Sequence, residues 1–164
     1  MFGGEIKVIG DSYAGGFSCG MTLGDNGTMQ QMETVIDNED RTVYEDSQRG
    51  LSLTVNHIKE NDVWNVITEV TNNGKQPVTL ELLSSFLLKD VKVDRIHRMQ
   101  SFWSAEGKLK SESITDLHME KSWNGCACRV EKFGNVGSMP VRKYFPFLVV
   151  EDCEKGEFTG VQLY

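Results

Sequence analysis

Apolar and polar residues alternate in short runs along most of the chain, with turn-forming clusters between them. Alternation with period 2 marks strands that bury one face. Glu5-Ile-Lys-Val-Ile9 is the first such run and ends at Gly10-Asp11. Gly15-Gly16 break the chain, and Phe17, Cys19 and Met21 alternate in a second run. Gly24-Asp25-Asn26-Gly27 reads as a hairpin turn, because Asn-Gly readily supplies positive φ angles. Met29, Gln31, Glu33 and Val35 then define one parity of a third, weakly amphipathic strand.

From Thr42 the pattern is plainer. Leu51, Leu53, Val55 and His57 fall on one face, and Ser52, Thr54, Asn56 and Ile58 on the other. After a polar turn at 59–62, Trp64, Val66, Thr68 and Val70 alternate in the same way, which predicts an antiparallel hairpin with one buried face. Asn72-Asn73-Gly74-Lys75 closes the next turn, and Pro77 opens a strand where its missing N–H matters least. Residues 78–88 are apolar on both parities, predicting a strand held centrally between two layers, with a helix as the alternative.

Residues 89–121 form a long middle segment in which 95–107, like 133–152 later, lacks a clean period; Ile96, Met99 and Trp103 are spaced almost as on a helix, so a short helix is one reading. Leu117, Met119 and Lys121 resume alternation, Trp123-Asn-Gly125 turns the chain, and Cys126, Cys128 and Val130 mark another strand. Residues 144–151 are β-rich, Asp152-Cys-Glu-Lys-Gly156 is a turn, and 158–164 is a last strand. Many short strands and no convincing long helix predict an all-β, antiparallel β-sandwich.

The 164 residues fit one domain over 1–164, by the usual size of about 100–200. No repeat or linker marks a boundary. A composition of 39% hydrophobic and 25% charged residues is that of a soluble globular chain. The net charge of −7 argues against nucleic acid as a partner, since phosphate binding needs clustered Lys and Arg. No apolar run approaches the ~20 residues that cross a bilayer, so no membrane is expected. Cys19, Cys126, Cys128 and Cys153 have no zinc spacing, and His57, His97 and His118 lie far apart. The expectation is four free thiols in the cytoplasm, no metal and no cofactor.

A retaining glycosidase needs two carboxylates about 5–5.5 Å apart. Glu106 beside Trp103 reads as a loop carboxylate with a structural hydrogen bond, and Glu151-Asp152 as solvated residues of a turn. No Gly-x-Ser-x-Gly elbow, P-loop or His-Glu-x-x-His is present. No catalytic residue is therefore assigned. The irregular segments instead concentrate Trp103, Trp123, Tyr144, Phe145 and Phe147, flanked by Arg98, Arg142 and Lys143 as a polar rim would flank them. Such residues serve domain interfaces or sugar stacking. Arg98, Trp103, Glu106, Arg142 and Tyr144 are the candidate contact residues.

Ile96-His-Arg-Met-Gln-Ser-Phe-Trp-Ser-Ala-Glu-Gly107 and Gly137-Ser-Met-Pro-Val-Arg-Lys-Tyr-Phe-Pro-Phe147 resemble the N-terminal domain of bacterial α-galactosidases of glycoside hydrolase family 36. Gly10-Asp-Ser-Tyr-Ala-Gly-Gly-Phe-Ser18 and Leu80-Glu-Leu-Leu-Ser-Ser-Phe86 add weaker matches in the same order. The resemblance implies a supersandwich-like β domain, truncated at one or both ends, that is not catalytic alone. The implied parent removes terminal α-galactosyl groups with retention and without a metal. Its catalytic aspartates lie on a following (β/α) barrel, and no position here matches them. The implied partners are that barrel and, through it, galactosides, with a homo-oligomer as a further candidate. A stand-alone carbohydrate-binding module, stacking sugars on Trp103 or Trp123, is the alternative from a different class.

Overall fold

Leu51, Leu53 and Val55 are 2%, 0% and 0% exposed, on a strand whose other parity faces outward. This strand is the spine of the first of two units into which the chain divides, Met1–Asp90 and Val91–Tyr164. The computed structural model describes residues 2–13, 26–119, 131, 134 and 143–163. The expected strands around Phe17 and Cys126, the turn at Trp123, the thiols of Cys19, Cys126 and Cys128, and Arg142 lie outside the described residues. The fold is all-β, built of antiparallel sheets, with sandwich-like layering in the first unit.

In the first unit, β1 (Phe2–Gly3) and β2 (Ile6–Val8) lead to a one-turn helix α1 (Gly27–Gln31). A four-stranded meander follows, of β3 (Glu33–Asp37), β4 (Arg41–Asp46), β5 (Leu51–Glu60) and β6 (Val63–Asn72). Then β7 (Leu80–Leu83) pairs with β2, and β8 (Leu87–Leu88) with β1. The core lies between layers: Leu51, Leu53 and Val55 from the meander meet Ile6, Met32 and Tyr44, with Val8, Met29, Val66 and Val70 packed around them. Each buried Leu or Ile stabilises by about 1.5–3 kcal/mol relative to exposure. Phe2 also touches His57, Trp64 and Phe86, at ring separations of 5.2, 5.5 and 6.3 Å.

The expected hairpin of β5 and β6 is present with longer strands and a tighter turn. Only Asn61 and Asp62 connect Glu60 to Val63, and Asn61 takes φ 57°. Two other expectations are corrected. Asn26-Gly27 does not form a hairpin turn: the Asn26 side chain caps α1, accepting from the Thr28 and Met29 amides at 3.0 and 3.1 Å. The helix consumes Met29 and Gln31, so the third strand begins at Glu33. Residues 78–88 are not central either. They form two short strands, and Leu80 and Leu83 are 36% and 43% exposed.

Among its described residues, the second unit forms a four-stranded antiparallel sheet, ordered β10-β9-β11-β12. Its strands are β9 (Arg95–Gln100), β10 (Leu109–Ser113), β11 (Tyr144–Asp152) and β12 (Glu157–Gln162). The irregular segment is thus a strand hairpin, and only Trp103–Ala105 at its tip is helical, as a single 3-10 turn. Leu117 lies in a turn and Met119 follows it outside any strand, while Lys121 lies outside the described residues.

Two tight turns share one chemistry. Asp46-Ser-Gln-Arg-Gly50 and Asp152-Cys-Glu-Lys-Gly156 both start on a buried aspartate. In each, one aspartate oxygen accepts the amides two and three residues on, from Gln48 and Arg49 at 3.0 and 3.0 Å for Asp46 and from Glu154 and Lys155 at 3.0 and 3.1 Å for Asp152. In each, the glycine N–H closes the turn by donating to the aspartate carbonyl at 2.8 Å, with a left-handed φ of 69° at Gly50 and 68° at Gly156.

Candidate functional site

Strand β9 inverts the usual placement of charge. Ile96 and Arg98 are its buried residues, on one parity, and His97 lies half-buried on the other. Burying a guanidinium costs several kcal/mol unless it is paired and hydrogen-bonded. Arg98 is paired: it donates to Glu112 on β10, lies 3.8 Å from Glu131, and stacks 5.1 Å from the Tyr144 ring centroid. Lys110 adds a second cation to Glu112 at 2.8 Å. Hydrogen bonds from Lys110 and Arg98 hold the Glu112 carboxyl below the usual range against the opposing effect of burial. Arg98 and Tyr144 are thus an internal tie of the second unit, reaching from β9 to both neighbouring strands.

The tip of the β9–β10 hairpin presents what the tie supports. Trp103 is 95% exposed and Phe102 54%, and Leu109 is exposed beside them. The backbone beneath is closely bonded: Ala105 N–H donates to Phe102 at 2.7 Å, Lys108 to Ala105 at 2.9 Å and Gly107 to Gln100 at 2.8 Å. Gly107 takes φ 72°, where a glycine is needed. Glu106 is exposed where the 3-10 turn ends. Of the candidate contact residues, Trp103 and Glu106 share this tip, Arg98 and Tyr144 lie buried together in the sheet, and Arg142 lies outside the described residues. Phe147 is 37% exposed and Phe145 half-buried on β11.

Glu151 and Asp152 are not solvated turn residues. Asp152 is 7% exposed; the Lys155 amide, then Lys92 and the Glu154 amide, hold its carboxyl below the usual range. Glu151 lies on β11, bonded to His97 at 2.9 Å. No sequence pattern announces this pair, because the two residues are 54 apart and only the β9–β11 register joins them.

In the first unit, a groove of about 810 Å³ runs between the β4–β5 turn and residues 73–79, with Val8, Arg49, Asn73, Lys75 and Pro77 among its walls. Arg49 is held by Asp11 at 2.7 Å and Asp46 at 2.5 Å. Thr28 joins the network, donating to Asp11 at 2.5 Å and accepting the Val8 amide at 2.9 Å. Its floor is tight: a Cβ on Gly74 would stand 2.1 Å from the Arg49 carbonyl oxygen. Among the described residues no three His, Cys, Asp or Glu side chains converge as a metal site. No described helix is long and apolar enough to cross a membrane.

No protein-family model matches this chain, and neither a curated protein nor a solved structure matches it.

Proposed function

We propose that this chain is the β-sandwich module, without glycosidase activity of its own, of an α-galactosidase-like glycosidase that works in the cytoplasm, and that its aromatic hairpin tip docks on a catalytic (β/α) barrel. The observation that carries the docking role is the 95% exposure of Trp103 on a hydrogen-bonded tip. Water-exposed tryptophan on a rigid hairpin is an anchor seeking a pocket, since Trp and Arg dominate the energetics of interfaces. The all-β fold agrees with the module that the family resemblance implies. The glycosidase identity rests on that resemblance, carried by Ile96–Gly107 and Gly137–Phe147 in order along the chain. The activity, removal of terminal α-galactosyl groups with retention, belongs to the parent.

The same exposed ring supports a second reading, a carbohydrate-binding module that stacks sugars on Trp103. One experiment separates the two. The chain is mixed with a separately produced barrel of this family and assayed on an aryl α-galactoside, and it is titrated alone with galactosides by tryptophan fluorescence. Docking predicts no turnover by the chain alone, activity gained on mixing, and loss of that gain in Trp103→Ala. Saturable quenching by galactoside that disappears in Trp103→Ala favours the sugar module. Steady turnover by the chain alone, abolished by Glu106→Gln, overturns both.

A further inference from the structure

On the face of the second sheet opposite Arg98, three side chains from three adjacent strands form a hydrogen-bonded line. Ser111 Oγ on β10 lies 2.8 Å from His97 Nδ1 on β9, and His97 Nε2 lies 2.9 Å from Glu151 Oε2 on β11. Register explains the line. Ser111 is directly opposite His97, and Glu151 is one diagonal step away on the other side. The protons follow from the chemistry of the groups. An ionised carboxylate only accepts, so a neutral His97 keeps its proton on Nε2, facing Glu151. Nδ1 is then a bare lone pair, and the Ser111 hydroxyl must donate to it.

That is the arrangement of an activated nucleophile: hydroxyl, base, and a third group that orients the base. Burial grades along it. His97 and Glu151 side chains are 17% and 19% exposed, which shields the base and its anchor, whereas Ser111 is open to a reactant. Phe158 flanks the imidazole at 6.1 Å, and Arg95 shares this face two residues before His97, exposed, opposite Ser113 and Glu151.

We propose that Ser111 is a His97-activated nucleophile that accepts an acyl group from a small activated ester, with Glu151 as the positioning residue. Ser111 Oγ attacks the carbonyl carbon as its proton passes to His97 Nδ1, and the carbonyl electron pair moves onto oxygen on the face that Arg95 shares. Collapse of that adduct breaks the ester C–O bond, and the leaving oxygen takes the proton from His97. Water, deprotonated in turn by His97, then attacks acyl-Ser111; the acyl C–Oγ bond breaks, Ser111 Oγ takes the proton back from His97, and the carboxylic acid leaves. The sum is ester plus water to acid plus alcohol, with Ser111 regenerated.

The test is labelling of the chain with a fluorophosphonate probe, the modified peptide being mapped by mass spectrometry, alongside hydrolysis of p-nitrophenyl acetate. The expected result is a stoichiometric adduct on Ser111, absent in Ser111→Ala, with the labelling rate down roughly 100-fold or more in His97→Gln, the scale of general-base catalysis. Glu151→Gln is expected to slow labelling while circular dichroism stays unchanged. It carries the same test should His97→Gln fail to fold. No adduct on Ser111 under conditions that fully label a serine esterase overturns the proposal. So does an adduct whose rate is the same in both variants.

Discussion

Leu53 and Phe147 are both large apolar side chains on β-strands, and the surroundings of each set opposite costs for removing them. Leu53 is fully buried in one core cluster with Ile6, Val55 and Tyr44, so Leu53→Ala leaves a cavity in the core of the first unit. The expected loss is about 2–5 kcal/mol. Phe147 is 37% exposed, and Phe147→Ala is expected to cost clearly less than Leu53→Ala. Urea unfolding of the two variants checks the order, and a larger loss for Phe147→Ala would contradict the exposure. The β5 alternation made Leu53 legible from the sequence. Arg98 was not, because a charged residue at an inward position reverses the polar pattern, and its partners Glu112, Glu131 and Tyr144 are 14 or more residues away in sequence. Only the folded register shows that this arginine ties β9 to its neighbours rather than lining a rim.

At the scale of elements, the turns were better signals than the strands they join. Asn61 and Gly156 sit where the polar clusters predicted, and Asp46-x-x-x-Gly50 repeats the spacing of Asp152-x-x-x-Gly156 with the same bonds. Asn-Gly at 26–27 misled because one dipeptide has two uses. Asparagine favours positive φ in a hairpin, but its amide oxygen equally caps a helix from extended backbone. Asn26 takes the second role with φ −81° and ψ 159°. The deciding contacts, a buried Thr28 bonded to Val8 and Asp11, are tertiary. Replacing this fully buried cap, Asn26→Ala, removes the acceptor for two amides and is expected to cost about 1–2 kcal/mol. Thermal unfolding checks this, and Asn26→Asp, which keeps the acceptor, is expected to retain more stability than alanine. Equal losses in both variants would mean that the cap is not the source of the stability.

At the scale of the whole molecule, the all-β class followed from alternation alone, whereas the division at Asp90 had no linker of Pro, Gly or Ser to announce it. The acid response of the first unit has a specific origin. Burial pushes the Asp46 and Asp11 carboxyls up, but the Arg49 guanidinium acting on both outweighs it, helped by turn amides at Asp46 and the Thr28 hydroxyl at Asp11. Both end below the ordinary aspartate range when folded. Unfolded, they return to about 3.9. A carboxyl with a depressed folded pKa binds protons more readily in the unfolded chain, so it stabilises the fold above the unfolded value. That contribution is lost as pH falls from about 4 through the lower, folded values. The melting temperature of the first unit is therefore expected to be flat near neutrality and to drop steeply below about pH 4. Asp46→Asn keeps an oxygen for the Gln48 and Arg49 amides but loses the ion pair at 2.5 Å. It is expected to melt lower than the native chain at pH 7 and to show a shallower slope in acid. An unchanged acid slope in Asp46→Asn would place the proton uptake on other carboxylates and remove Arg49 from the explanation.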